Sequence, residues 1–148
     1  MVAEAIALGM AGIGIADRNS VAGVVRALTG LRKLREDAAE EGIDLPDIKL
    51  VVGARLVFED GTPDIIAYPT TRHGWGRLTR MLTIGNRRTL KGDCVMKLKN
   101  LLIHCEDMIL IAMASEQDEL ILRRLAEVAS GSLWLGANVP RGGRDRRR

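Results

Sequence analysis

The sequence predicts an α/β fold with crossover helices and a largely parallel sheet. Three observations carry this. Short apolar runs alternate with longer amphipathic segments along the 148 residues. Apolar residues make up 47% of the chain but aromatics only 3%, so the core rests on Val, Ile, Leu, Ala and Met, the usual filling of such sheets. Glycines and polar residues punctuate nearly every change of pattern.

In chain order, residues 2–9 read as the end of a helix stopped by Gly9. Residues 11–16, "AGIGIA", form a short apolar strand. Ser20 caps a helix that runs to about Glu41, with Val21, Val24, Val25, Leu28, Leu31 and Leu34 at helical spacing and Gly42 as its stop. Residues 48–58 are rich in β-branched side chains and read as a strand. A turn through Asp60 and Gly61 leads into a second strand, 64–69, so these two are expected as an antiparallel hairpin. A helix over 73–85 buries Trp75, Leu78, Met81 and Leu82. After the polar "NRRTLKGDC" come a short helix, "KLKNLLIH", and a buried strand over 107–113. Ser115 caps an amphipathic helix with Glu116 and Asp118 in its first turn, where the helix dipole favours acids. Gly131 stops it, and 132–137 is the last strand.

The net charge of +3 sits in one place. Residues 141–148 hold five Arg and one Asp, leaving residues 1–140 close to neutral. This divides the chain into a folded body, 1–140, and an Arg-rich tail, 141–148. The tail reads either as an arm for nucleic acid or as a solvated charged end. Cys94 and Cys105 have neither C-x-x-C spacing nor a disulfide framework around them, and free thiols in a reducing cytosol are expected. No apolar run approaches the ~18 residues of a membrane helix, and the start lacks a basic signal region, so the expected location is the cytoplasm with no membrane contact.

Several chemistries have no support. The glycines of "GMAGIG" precede and enter the strand instead of opening the next helix, which excludes a dinucleotide fingerprint, and there is no P-loop. His73 and His104 lack metal-ligand spacing, and there is no nucleophile elbow. What is left is "ADRNS". Asp17 stands at the carboxyl end of a strand, where α/β folds keep their sites. It reads as a ligand or acid–base group, or, with Asn19, as a cap that ties the loop to the following helix.

These residues carry a family likeness. "ALGMAGIGIADRNSVAGVVRA" resembles the start of the PHP (polymerase and histidinol phosphatase) domain of bacterial DNA polymerase III alpha subunits, and is most similar to the error-prone, translesion branch. "LVVGARLVFEDGTPDIIAYPTTRHGWGRLTRMLTIGNRRTLKGDC", "LLIHCEDMILIA" and "LWLGA" follow in the family's order, so the resemblance covers nearly the whole chain.

The resemblance implies an incomplete PHP-type βα barrel, part of a seven-stranded barrel whose first strand and C-terminal strands are missing from this chain. Active members place metal ligands at the carboxyl ends of the barrel strands. The H-x-H pair of the first strand would lie before residue 1, and further ligands beyond Arg148. The Asp-His of a "TDH"-like motif corresponds to Asp17-Arg18, a ligand Glu to Arg55 after Gly53-Ala54, and a strand-opening His to Asp64. Arginine stays protonated and offers no lone pair to a cation. The implied site is therefore degenerate at Asp17, Arg18, Arg55 and Asp64, with no catalytic, cofactor or metal-binding residue. Asp17 and Asp64 are expected to pair with Arg18 and Arg55 instead.

By resemblance the chain is then a structural piece of an error-prone DNA-directed DNA polymerase, a nucleotidyltransferase of damage-tolerant DNA replication and repair. The piece itself would be inactive, since the family's polymerase aspartates lie well downstream. Implied partners are the remainder of the polymerase chain, DNA through that chain, and replication or mutasome proteins. Arg87, Arg88 and Lys91, in the most basic loop of the body, are candidate nucleic-acid or interdomain contacts. The tail then reads as the start of a further helix. Two alternatives are a metal-dependent phosphoesterase or 3'-5' exonuclease, which needs a divalent cation such as Zn²⁺ or Mn²⁺ to activate water, and a nucleic-acid-binding module using the basic tail.

Overall fold

A computed structural model describes residues 1–89, 93–113 and 118–137. Ten elements follow in the order α1 (Val2–Ala7), β1 (Gly12–Arg18), α2 (Gly23–Glu40), β2 (Lys49–Leu56), β3 (Ile65–Pro69), α3 (Arg72–Asn86), α4 (Leu98–His104), β4 (Met108–Ala112), α5 (Glu119–Val128) and β5 (Leu133–Leu135). The α/β class and the order of elements agree with the sequence reading. Ser115, Glu116, Lys91 and the 141–148 tail lie outside the described residues.

The sheet departs from the expectation. Its five strands run in sequential order, β1-β2-β3-β4-β5, as an open sheet; the described residues do not close a barrel. It is mixed, not largely parallel. β1–β2 and β4–β5 are parallel, with α2 and α5 as their crossovers, while β2–β3 and β3–β4 are antiparallel. The β2–β3 hairpin was expected. The reversal at β4 was not, because α3 and α4 intervene and a two-helix connection leaves the direction of the next strand open.

Alternation along the strands sets the core. Ala54, Leu56, Ile65, Ala67, Met108, Leu110 and Ala112 face Leu78, Met81 and Leu82 of α3, Leu98 and Leu101 of α4, and Leu125 of α5. A smaller cluster joins Ile13 and Ile15 of β1 to Val2 and Ala5 of α1 and Ala27 and Leu31 of α2. The intervening positions, including Ile66, Tyr68, Ile109 and Ile111, are half-buried to exposed, so these strands are not buried on both faces as their apolar runs suggested. Two glycines make room on that second face. A Cβ on Gly14 would strike the Tyr68 hydroxyl, and one on Gly53 would strike the Ala67 carbonyl and the Tyr68 ring, so the ring lies across β1 and β2.

Local chemistry explains the element ends. Gly9 and Gly42 stand in the left-handed region just past α1 and α2. β1 runs two residues further than expected, which places Asp17 and Arg18 on the strand itself. β2 stops at Leu56, short of 58, because Asn19 takes the Val57 backbone. α2 starts at Gly23, not directly after Ser20; Ser20 Oγ accepts from Ala22 N at 3.1 Å and Asp17 takes the Gly23 amide. Thr71 caps α3, accepting from Gly74 N at 3.0 Å.

Candidate functional site

The carboxyl ends of β1 and β2 meet the entry to β3 at one edge of the sheet. Asp17 pairs in register with Ala54, and Arg18 with Arg55. Two positions that the resemblance equates with metal ligands thus stand side by side and both bear a guanidinium. Successive strand residues point to opposite faces, and the four candidate residues separate accordingly.

Asp17 turns toward α2. Its Oδ2 accepts from Gly23 N at 2.6 Å, at the positive end of that 18-residue helix. Arg55 turns the other way. Its Nε donates to Asp64 Oδ2 at 2.7 Å, and its Nη2 lies 2.5 Å from the same oxygen. Half of the expected pairing is present: Asp64 holds Arg55. The other half is not. Asp17 makes no ion pair with Arg18 or Arg55 among the described residues, since strand alternation puts its carboxylate on the helix side of the sheet. It caps instead. Arg18 is exposed and borders a cleft.

Asn19, which the sequence suggested only as a cap, closes this edge. It sits at φ +46, a left-handed conformation that Asn tolerates better than most residues. From there its Oδ1 accepts from Val57 N at 2.8 Å and its Nδ2 donates to Val57 O at 3.1 Å, while its own amide donates to Arg55 O at 2.9 Å. The side chain imitates one further rung of the parallel ladder between β1 and β2.

Beyond this edge lies the cleft, about 820 Å³, bordered by Arg18, Asn19, Ser20, Phe58, Glu59 and Cys94, among others. Burial, and then the Glu59 carboxylate, push the Cys94 thiol up from its ordinary value, so the sulfur is a poor nucleophile at neutral pH. On the outer turn, Asp60 ties the hairpin to α4. Its carboxylate accepts from Thr62 Oγ1 at 2.7 Å and from Leu98 N at 2.8 Å. Burial alone would raise its pKa, but these donors outweigh it and hold the carboxyl below the usual Asp value. Among the described residues no three His, Cys, Asp or Glu side chains converge as a protein metal site requires. No helix is long and apolar enough to cross a membrane among the described residues.

The candidate basic loop is only partly described. Arg87 is exposed, and Arg88 donates through Nη1 to Asn100 Oδ1 at 3.2 Å. Lys91 lies outside the described residues. A second basic group escaped the sequence reading: Arg72, His73, Arg77 and Arg80 on α3, with His104 at the end of α4, border a separate cleft at the opposite end of the strands. The signal was present, because the α3 sequence contains three Arg and no acid.

No protein-family model matches the chain. Curated relatives do. An error-prone DNA polymerase 1 of Rhizobium meliloti is 48% identical over 142 residues, covering 92% of this chain and 12% of that protein. An error-prone DNA polymerase of Rhodopseudomonas palustris is 41% identical over 152 residues, 99% of this chain and 13% of the relative. One of Brucella abortus is 38% identical over 153 residues, 100% and 14%. Over nearly all of its residues, then, the chain is similar to one segment of bacterial error-prone DNA polymerases, and it spans only 12–14% of the length of these relatives.

Proposed function

We propose that the chain is the PHP-like segment of an error-prone DNA polymerase, serving as a structural, non-catalytic piece whose ancestral metal site has been dismantled. DNA would be met through the larger polymerase chain in the cytoplasm, during damage-tolerant replication and repair. Replication or mutasome proteins are its further partners. The segment holds no cofactor.

One observation carries this reading: the in-register Arg18–Arg55 pair at the edge where the resemblance expects ligands. Two permanent cations there repel a divalent metal. The carboxylates beside them are already engaged, Asp64 by Arg55 and Asp17 by the Gly23 amide. Recruiting either for a metal would break an existing contact. The similarity to polymerases over nearly the whole chain supports the same reading.

The test has two parts. Replacing the matching segment of the Rhizobium meliloti relative with this chain is expected to give a chimaera that extends a primer. The isolated chain is expected to release no nucleotide from DNA with Mn²⁺ or Zn²⁺, and EDTA to leave its melting temperature unchanged. Metal-dependent hydrolysis that Asp17→Ala or Asp64→Ala abolishes would overturn the non-catalytic reading.

A further inference from the structure

At the end of the strands away from the Arg18–Arg55 pair, α3 presents Arg72, His73, Gly76, Arg77 and Arg80 along one stripe. Its opposite side, Gly74, Leu78, Met81, Leu82 and Gly85, is buried. With His104 of α4 the stripe borders a cleft of about 600 Å³. The helix carries no acid, so its cations have no partner one turn away, and Arg77 and Arg80 repel at i,i+3. The counter-charges come from outside the helix. Glu106 accepts from Arg77 Nη2, and Asp107 Oδ2 accepts from Nη1 at 2.7 Å. Both are spent on Arg77, which is thereby fixed in place. Arg72 and Arg80 are exposed and have no ion pair among the described residues. His104 lines the same cleft and is half-buried; burial first, then Arg80 and Arg77, depress its pKa from 6.5. Positive charge is concentrated here beyond what the chain itself neutralises.

We propose that this α3 cleft binds the phosphate backbone of a DNA strand. Guanidinium forks match phosphate oxygens in pairs. The lining offers only Arg and His side chains over a bare Gly76, with none of the apolar anchors that a peptide groove uses. Arg72 and Arg80 are eight residues apart on the helix, about 12 Å, so they meet separate phosphates and not a single one. Gly76 has open space around its Cβ position, which lets a backbone approach between them. Charge contact of this kind fixes a strand's path without reading its bases. The choice of DNA rests on the polymerase reading above; the anion site itself does not.

The test uses the full chain and a fluorescein-labelled oligodeoxythymidylate, followed by anisotropy over a range of salt. Arg72→Gln with Arg80→Gln is expected to weaken binding about tenfold and to make the salt dependence shallower by about 1.4, two phosphates at ~0.7 each. Arg26→Gln with Arg32→Gln, on exposed positions of α2, is the control and is expected to change neither. An α3 variant that binds like the parent, with all binding lost on removing residues 141–148, overturns the site. A second readout does not depend on affinity: the His104 pKa, followed by NMR, rises when the oligonucleotide fills the cleft, and an unmoved His104 overturns the proposal. A rise with inorganic phosphate but none with the oligonucleotide overturns the DNA assignment. An active chimaera together with a silent α3 cleft would retain the segment reading and sink this one; an inactive chimaera with DNA held at α3 would do the reverse.

Discussion

The two ends of the sheet treat charge in opposite ways. At the carboxyl end of β1 and β2, nearly every polar group closes onto the chain: Asp17 on the Gly23 amide, Asn19 on Val57, Arg55 on Asp64, Asp60 on Leu98. At the other end, α3 lines up Arg72, Arg77 and Arg80, and the two acids that reach the stripe both serve Arg77. Apart from the exposed Arg18, the first end is internally satisfied, whereas the second keeps charge to spare. The carboxyl ends of strands are where α/β sheets usually keep their sites; the state of the hydrogen bonds decides whether a group there is available.

The largest expected effect tests how rigidly the basic end is built. A Cβ on Gly74 would collide with the Asp107 carbonyl, a backbone atom that cannot swing aside. Gly74→Val is expected to cost about 3 kcal/mol in urea unfolding. Gly23→Ala, at the satisfied end, meets only the Asp17 carboxylate, which can rotate away, and is expected to cost about 1 kcal/mol, the loss of one capping bond. Equal losses at the two positions would erase this difference between the ends.

Next comes Asn19. Asn19→Ala removes both bonds to Val57 and leaves a non-glycine residue at φ +46. A loss of about 2 kcal/mol is expected, in the range for stranding partly buried backbone groups. Asn19→Gly relieves the backbone but restores neither bond, so it is expected to recover only part of this. The Arg55–Asp64 pair sits lower. Their side chains are 55% and 25% exposed, and a double-mutant cycle is expected to give a coupling of about 0.5 kcal/mol. A coupling several times larger would mean that the satisfied end is held by charge and not by backbone closure.

The finest distinction is in pH. The Asp60 pKa is depressed below 3.8, so its contribution is full above that value and is lost as pH falls through the lower folded pKa. The His104 pKa is depressed below 6.5, so the folded chain resists taking a proton that the unfolded chain accepts, and stability falls as pH drops below that value. Both shifts have the same sign but occupy different windows. Asp60→Asn is expected to flatten only the acid limb of a stability–pH curve, and His104→Gln only the part just below 6.5. Exchange of the two windows would contradict the arrangement of donors and cations described here.

Much of the fold was legible because its signals are local. Gly9 and Gly42 are helix stops in sequence and in structure, and the Asp60-Gly61 turn announces the β2–β3 hairpin. The direction of β4 was not legible, because it depends on how two helices pack before the chain returns. At the site, residue types were enough to show that Arg18 and Arg55 offer no lone pair to a cation. They were not enough to assign partners. Asp17 could reach Gly23 or a neighbouring Arg until the strand's extension to Arg18 fixed which face it takes. The Asn19 clamp and the Arg77 bridges join residues 29 to 38 positions apart, beyond any local pattern. The α3 stripe was visible in principle, but a helix containing two tryptophan-flanking glycines and good apolar spacing draws attention to its buried side first.

The Tyr68 ring laid across Gly14 and Gly53 gives this chain an optical gauge of its own. It is the only tyrosine in the sequence, and burial raises its pKa above the ordinary 10.0. Tyrosinate absorbs where tyrosine does not, so an alkaline spectral titration reads a single ring against the first two strands. Any substitution, ligand or joining of further chain that lifts those strands away would shift that titration back toward the value of a free phenol, without a label and without an assay for activity.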